Sequence, residues 1–427
     1  MQLIYRMKLI KIFSTLLIIL FAKSIVATQI LIPMDESQKN HLKAYGITFT
    51  VLKDGKEAAW LLNYRGGSFQ FDYNQNYEKE CKIRGISYEI ITEAKSNAIA
   101  AEIGNPESNM EKVKLLKAPK IAVYSPKTKQ PWDDAVTMVL TYAEIPYDVI
   151  FDDEVLTNKL PLYDWLHLHH EDFTGQYGKF WSSYRNVLWY REQVKEAEDM
   201  ATKHGYGKVS KLKLAVVKKI RDFTMGGGFT FAMCSATDSY DIALAAEDTD
   251  ICEHMFDGDP ADPQAQSKLD FSSCFAFENF RLERNPMVYE YSNIDMTMTR
   301  KRVREDNDEF ALFEFSAKSD VVPTMLCQNH TQLIKGFYGQ TTSFNKELIK
   351  SNVTILGENN AQGEAKYIHG TLAKGTWTFY AGHDPEDYQH MVNEPPTDLN
   401  LFPNSPGYRL ILNNILFPSA KKKKLKT

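Results

Sequence analysis

The chain has 427 residues, of which 43% are hydrophobic and 12% aromatic, and its 55 acidic residues outnumber 50 basic ones. The formal net charge of −5 argues against a nucleic-acid-binding protein. The length is sufficient for a large core, arranged as two domains or as one elaborated domain.

The first 27 residues have the pattern of a secretory signal. Arg6, Lys8 and Lys11 give a positive start, an apolar run follows at 12–22, and small residues precede a cleavage position after Ala27. No later segment is long and apolar enough to cross a bilayer. We therefore expect a periplasmic or extracellular protein with no membrane span after cleavage.

Residues 28–117 form the first predicted unit. Apolar runs predict strands, and longer periodic stretches predict helices. Because the two types alternate, we expect an α/β unit with a mostly parallel sheet. The predicted strands are 30–33, 59–64 and 87–91, and the predicted helices are 37–52 and 93–116, the second broken around Asn105 and Pro106.

Residues 118–427 form the second predicted unit, an α/β domain with a flavodoxin-like, doubly wound parallel sheet. Regularity falls over about 252–370, which we interpret as an irregular inserted segment that covers the crevice of the sheet. The predicted strands are 120–125, 147–151, 163–169, 229–233, 287–291, 310–315 and 376–381, and the predicted helices are 132–145, 180–203, 211–223 and 407–416.

Cys234 follows a buried strand and precedes small residues, after a triple glycine that we interpret as a helix end. A cysteine on such a strand-to-helix turn places its sulfur at the mouth of the sheet, where the helix N-terminus favours a thiolate. The alternative is a cysteine that only packs in the core. Ser235 and Asp238 follow on the same element and are candidates for substrate binding.

His383 lies after the strand 376–381, at a Gly-His corner. The carboxyl ends of parallel strands meet at one edge, so His383 is the candidate base for Cys234. A third group should orient the imidazole, and Asp384 and Glu171 are candidates for that role.

A histidine-rich run, His167, His169, His170, Glu171 and Asp172, ends another predicted strand. His167 and His169 share one face of that strand, and with Glu171 they could be three ligands of zinc or iron. The alternative is a hydrogen-bonded rim, in which the three histidines contact a substrate. No phosphate loop or nucleotide fingerprint is present, so no organic cofactor is expected.

Five cysteines, at 81, 234, 252, 274 and 327, leave at least one thiol unpaired within the chain. If Cys234 is the unpaired thiol, the other four cysteines could form two disulfides, and the sequence favours no particular pairing.

The run Phe231–Ala236 after its strand resembles the nucleophile turn of class I glutamine amidotransferase-like domains. The corner Gly382–Asp384 and the helix 405–416 are similar to the end of the trehalose-utilisation (ThuA-like) branch. The resemblance covers 118–250 and 371–418, and it implies a flavodoxin-like fold and a Cys–His pair. The amidotransferase pattern has Glu two residues after the histidine, where this chain has Pro385. ThuA-like domains often lack the cysteine, which implies a carbohydrate-binding alternative.

The full chain is also similar to an exported family of Bacteroidetes that often carries an asparagine synthetase B-like label. This similarity rests on the segments 166–175 and 131–136. A true asparagine synthetase needs an N-terminal cysteine and an SGGxDS nucleotide loop, and this chain has neither, so ATP-dependent synthesis is not expected.

These observations leave three hypotheses. The first is an exported hydrolase or transferase that uses Cys234 and His383 on an amide or related acyl substrate. The second is a non-catalytic module that binds or senses a small molecule or carbohydrate. The third is a metal-dependent hydrolase at His167, His169 and Glu171.

Overall fold

The computed structural model describes residues 28–126, 134–168, 170–296, 308–388, 391–392 and 394–421. The predicted signal segment and His169 lie outside the described residues. Within them the chain is an α/β protein built on two sheets, one antiparallel and one mixed.

The strands are numbered in chain order. They are β1 Gln29–Ile32, β2 Ala58–Leu62, β3 Ser68–Asp72, β4 Glu89–Ile91, β5 Glu111–Leu115, β6 Ile121–Tyr124, β7 Asp148–Ile150, β8 Trp165–Leu168, β9 Phe229–Met233, β10 Glu309–Leu312, β11 Leu333–Lys335, β12 Phe344–Asn345, β13 Thr354–Asn359, β14 Glu364–Leu372 and β15 Gly375–Tyr380.

Among the helices that the structure describes, none is long and apolar enough to span a membrane. The helices are α1 His41–Lys53, α2 Gln75–Ile83, α3 Glu93–Gly104, α4 Ala135–Tyr142, α5 Asp152–Leu156, α6 Trp181–Tyr184, α7 Leu188–Lys203, α8 Val209–Gly226, α9 Ser235–Ala245, α10 His254–Asp257, α11 Val321–Leu326 and α12 Pro406–Leu416.

The first unit differs from the sequence prediction. Its sheet has the order β4-β1-β3-β2-β5, and every neighbouring pair is antiparallel rather than parallel. The predicted helix 93–116 ends at Gly104, and β5 follows it. The run Glu111-Lys112-Val113-Lys114-Leu115 alternates exposed and buried residues, which is the period of a strand.

The second sheet holds the parallel strands. Its order is β11-β10-β13-β14-β15-β9-β8-β6-β7, and the strands from β15 to β7 are parallel. The runs Ile121–Tyr124, Trp165–Leu168 and Thr230–Met233 are buried throughout, as is typical of parallel strands covered on both faces.

The segment predicted as an irregular insertion contributes strands to this same sheet. β10, β11, β13 and β14 extend it with antiparallel pairings, and β12 pairs with β14. The predicted strand at 287–291 is instead turn and bend. The pairing of β10 with β13 joins residues far apart in the sequence, whereas β13, β14 and β15 follow one another as antiparallel hairpins.

The central strands alternate their side chains between two cores. Val123, Trp165 and Phe231 lie in the core that contains Leu140 of α4 and Leu410 of α12. The residues that alternate with them, such as Tyr124 and Leu168, lie in the core that includes Val216 of α8 and Tyr240 of α9. Because side chains alternate along a strand, this pattern also determines on which side of the sheet a polar residue at the end of a strand lies.

Arg409 of α12 joins the two units. Its side chain is fully buried and donates hydrogen bonds to the carbonyl oxygens of Met34 (2.9 Å) and Gly66 and to the Tyr45 hydroxyl (3.2 Å). A buried charge is stable only when polar groups surround it. Because the carbonyl oxygens of the first unit surround the Arg409 guanidinium, they stabilise the interface between the two units.

Two stacked histidines beside Arg409 make the stability dependent on pH. The rings of His41 and His330 lie 4.2 Å apart, and burial and Arg409 lower the pKa of His41 to about 4. The unfolded chain takes up this proton below about 6.5, so stability is present above that pH and is lost as the pH falls toward 4. For His41 the loss is on the order of 3 kcal/mol.

We expect the thermal unfolding midpoint of the protein to fall between pH 7 and pH 5. His330→Phe should keep the stacking and reduce this fall, because burial and His41 also lower the pKa of His330, to about 3. His254→Asn, at an exposed position, is the matched control. An unchanged pH dependence in His330→Phe would contradict this assignment.

Candidate functional site

Cys234 occupies a sharp turn between β9 and α9. Its backbone has φ 52° and ψ −140°, a conformation that residues with a side chain rarely adopt. Such backbone strain costs about 1–3 kcal/mol and is concentrated at functional sites. The predicted strand-to-helix turn is therefore present, with a strained cysteine at its apex.

The Gly382-His383 corner lies beside this turn. β9 and β15 pair in parallel with Met233 opposite Tyr380, so both strands end at the same edge. The Cys234 N–H donates a hydrogen bond to the Gly382 carbonyl oxygen (3.1 Å). Parallel pairing thus brings residues 234 and 383 together across a long sequence separation.

The imidazole of His383 packs against that of His170, which follows β8 on the other side of β9. The ring centroids are 5.1 Å apart and the planes are tilted by 41°. His383 is buried, and His170 is half-buried. The edge of the sheet therefore gathers one thiol and two imidazoles.

Residues 336–343 lie across Cys234, and we call them the covering loop. The Gln340 N–H contacts Cys234 Sγ at 3.1 Å, and the Gln340 side chain donates to the carbonyl oxygens of Gly178 (2.7 Å) and Tyr289 (3.1 Å). A Cβ atom at Gly339 would lie 2.8 Å from the Gly382 carbonyl carbon, so this close approach requires glycine. Cys234 is consequently only 1% exposed.

Burial raises the pKa of the Cys234 thiol to about 11, although the N–H groups of Thr341, Gln340 and Ser235 lower it. The thiol is therefore protonated at neutral pH in this arrangement. The same N–H groups surround the position where negative charge would develop on the sulfur or on an adjacent oxygen.

Ser235 and Asp238, predicted as substrate-binding residues, make contacts within the protein. The Ser235 hydroxyl donates to the His170 carbonyl oxygen (2.8 Å), and the Thr341 hydroxyl donates to Asp238 Oδ1 (2.9 Å). Burial and the neighbouring carboxylate of Asp295 raise the pKa of Asp238 well above its usual value. Asp238 thus connects α9 to the covering loop.

Asp384, a candidate third member of a triad, points toward its own turn and α12. Its carboxylate accepts a hydrogen bond from the Glu386 N–H (2.9 Å), and burial raises its pKa while Tyr408 and Thr397 lower it. None of these contacts orients the imidazole of His383.

His167 and Glu171 lie on opposite faces of the sheet. His167 is fully buried, with Nδ1 3.2 Å from the Phe231 carbonyl oxygen and Nε2 3.3 Å from the Asp134 carboxylate. Glu171 instead borders a cleft beside Lys213 of α8. The structure therefore does not bring these two predicted metal ligands together, and the third, His169, lies outside the described residues.

In the part of the chain that the structure describes, one group of three potential ligands has its donor atoms within 4.8 Å of one another, namely Asp250, Cys252 and Asp257. Lys208 Nζ already supplies a positive charge there, at 2.6 Å from Asp250 and 3.0 Å from Asp257. We therefore do not assign a metal site to this group. All five cysteines are free thiols, so the two possible disulfides are not formed.

The cleft beside Glu171 lies at the carboxyl ends of β6, β7 and β8 and has a cavity volume of about 80 Å³. Burial raises the pKa of Glu171 to about 7, with the Asp152 and Asp172 charges raising it further and Lys213 lowering it. Glu171 and Asp172 were predicted as part of the histidine-rich run, whereas Lys213 and the aromatic residues of the lining were not.

Sequence analysis also missed the covering loop. The small polar run Gly339-Gln340-Thr341-Thr342 lies within the segment interpreted as irregular, and a turn of this composition was the only local signal. Its contact with Cys234 spans 106 residues, so the sequence pattern alone could not indicate it.

We expect Cys234 to react slowly with iodoacetamide in the folded protein at pH 7.5. A rise in the thiol pKa from 9.0 to about 11 reduces the thiolate fraction by about 100-fold. Thr341→Val, which removes the hydrogen bond to Asp238, should accelerate the labelling several-fold. Thr371→Val, at an exposed position on β14, is the control. Site-resolved mass spectrometry measures both, and rapid wild-type labelling of Cys234 would contradict the closed arrangement.

No protein-family model and no curated protein matches this chain. Among solved structures, it is similar to the cytoplasmic protein STM3548 from Salmonella typhimurium at 8% identity and a TM-score of 0.36, covering 71% of this chain and 100% of that one. The cytoplasmic protein STM1381 from Salmonella typhimurium LT2 has 12% identity, a TM-score of 0.33 and the same coverage. The β-galactosidase Gan42B of G. stearothermophilus has 9% identity and a TM-score of 0.27, covering 63% of this chain and 28% of that one. At these TM-scores the likenesses carry no conclusion.

Proposed function

We propose that this protein is an exported hydrolase or transferase of the class I glutamine amidotransferase-like superfamily, acting on an amide or related acyl substrate. The observation that carries the proposal is the strained turn at Cys234, beside the Gly382-His383 corner. Export rests on the signal pattern of residues 1–27, which lie outside the described part of the chain.

The order of the parallel strands supports the flavodoxin-like part of the proposal. Numbered among themselves in chain order, β6, β7, β8, β9 and β15 have the spatial order 2-1-3-4-5. This order is typical of flavodoxin-like sheets, in which ligands bind outside the carboxyl ends of the strands.

In the proposed reaction, His383 takes the proton from the Cys234 thiol, and the sulfur forms a bond to the carbonyl carbon of the substrate. The carbon–nitrogen bond then breaks, and the amine leaves with the proton from the imidazolium. Water or an acceptor amine releases the acyl group from the thioester. The N–H group of Ser235, which does not belong to the covering loop, would stabilise the oxyanion.

A substrate reaches the sulfur only when the covering loop moves. The hydrogen bonds of Gln340 to Gly178 and Tyr289 and that of Thr341 to Asp238 must then break. The proposal therefore includes an open arrangement, in which contact with water lowers the thiol pKa from its closed value.

We expect p-nitrophenyl acetate to acetylate Cys234 in the wild-type protein. Cys234→Ala should abolish the adduct, and His383→Ala should slow its formation by about 100-fold or more, because the base is lost. Cys327→Ala is the control. It removes a different, half-buried thiol that contacts the Leu356 carbonyl oxygen of β13, and it should leave the rate unchanged. Intact-protein mass spectrometry with peptide mapping measures the adduct. Acetylation of Cys234 at the same rate in His383→Ala would contradict the role of His383.

A second candidate is a non-catalytic, ThuA-like module that binds or senses a carbohydrate. The closed environment of Cys234, 1% exposed and with a thiol pKa of about 11, favours it. Under this alternative Cys234 is not acetylated, while a saccharide still binds. The two candidates are thus separated by the acetylation experiment and a binding measurement on the same protein.

A further inference from the structure

A second site lies one strand away from Cys234, in the cleft beside Glu171. The strand order reverses between β6 and β8, because the chain continues from β6 outward to β7 and then returns to β8 on the other side. Pro126 after β6, Phe151 after β7 and Glu171 after β8 all border the cleft. Ligands of open α/β sheets bind at such reversal points. We call it the switch-point cleft.

The floor of the switch-point cleft carries a neutralised charge. Lys213 Nζ lies 3.1 and 3.0 Å from the two carboxylate oxygens of Asp152 and 2.9 Å from the Tyr124 hydroxyl oxygen, and it sits 4.4 Å from the centre of the Phe151 ring. Because Asp152 balances this lysine, the floor has little attraction for an anion. The remaining titratable groups of the lining are acidic or phenolic, which disfavours an anionic ligand further.

One wall is an aromatic platform. The half-buried ring of Trp189 lines the cleft and packs against Phe180, Tyr184 and Tyr190, with ring centroids 5.8, 5.1 and 6.0 Å away. These rings hold the indole in place, so the part of it that borders the cleft is a rigid aromatic surface. Tyr177 lines the same cleft.

The border of the cleft at Tyr177 belongs to a strained loop. Tyr177 and Lys179 have φ values of 51° and 53°, and the Asp172 carboxylate accepts hydrogen bonds from the N–H groups of Thr174 (2.6 Å) and Gly178 (3.0 Å). Strain that is held by such contacts is concentrated at ligand clamps. The Asp172 carboxylate therefore holds this loop in its conformation.

Polar atoms complete the lining. Gln193 Oε1 is buried and accepts no hydrogen bond from the described residues, and Glu192 lies beside it on α7. Buried hydrogen-bond acceptors in proteins are nearly always paired with a donor, and a hydroxyl group of a ligand would supply that donor here. Stacking surface, amide and carboxyl groups together suit a ring that is apolar on its faces and hydroxylated at its edge.

We infer that the switch-point cleft binds a neutral saccharide, with one sugar face on Trp189 and hydroxyl groups bonded to Gln193 and Glu171. The inference rests on the second candidate function, to which it adds the site, and it does not require chemistry at Cys234. Neither Cys234 nor His383 lines the cleft.

The test is isothermal titration of the full mature chain with maltose, cellobiose and glucosamine. We expect at least one neutral disaccharide to bind and Trp189→Ala to weaken it at least tenfold. Trp181→Ala is the matched control, because Trp181 belongs to the same aromatic cluster but does not line the cleft. If Trp189→Ala does not fold, Gln193→Leu tests the same wall and should also weaken binding.

The outcomes separate the site from the function. Binding that persists unchanged in Trp189→Ala and Gln193→Leu overturns the cleft assignment and leaves a carbohydrate-binding function in place. Binding of glucosamine without either disaccharide overturns the neutral ligand class. Absence of binding by all three overturns both the cleft inference and the second candidate, while the acetylation of Cys234 decides the first candidate independently.

Discussion

The parallel pairing of β9 with β8 on one side and β15 on the other is the constraint on which the candidate site depends. Leu168 pairs with Ala232 and Tyr380 with Met233, so the three strands end in step. His170, Cys234 and His383 follow these last pairs within three residues. If β15 ran in the opposite direction, His383 would lie at the far edge of the sheet. The direction of the strands, rather than proximity in sequence, therefore creates the site.

The contacts that hold the strained turn are also those that close it. Opening the covering loop breaks at least the three side-chain hydrogen bonds of Gln340 and Thr341 and the contact of the Gln340 N–H with the sulfur. At about 0.5–1.5 kcal/mol each, these cost about 2–6 kcal/mol. The open population would then range from about one molecule in thirty to about one in twenty-five thousand. Such a population reacts slowly with a general thiol reagent, whereas a substrate that binds the open form preferentially can increase it.

Local patterns predicted the elements that build the candidate site around Cys234. β9, the turn at Cys234 and the corner at His383 were predicted because each is a buried run followed by a turn within a few residues. The strand directions of the first sheet and the position of the covering loop were not, because contacts between residues far apart in the sequence determine them. The strands β13 and β14 were also missed, although they form a local hairpin. The run 111–115 is different, since its alternation is local and is typical of a strand, whereas the prediction placed a helix on both sides of the break at Asn105 and Pro106.

The two candidate sites share a wall, although they face different directions. His170 and Glu171 are consecutive, yet the first packs against His383 and the second lines the switch-point cleft. Ser235 and Ser239, one turn apart on α9, bind the carbonyl oxygens of these two residues at 2.8 and 3.1 Å. A ligand that shifts the backbone at Glu171 must therefore disturb these two bonds at the beginning of the helix that follows Cys234. The short segment of His170 and Glu171 therefore connects the switch-point cleft to the turn at Cys234.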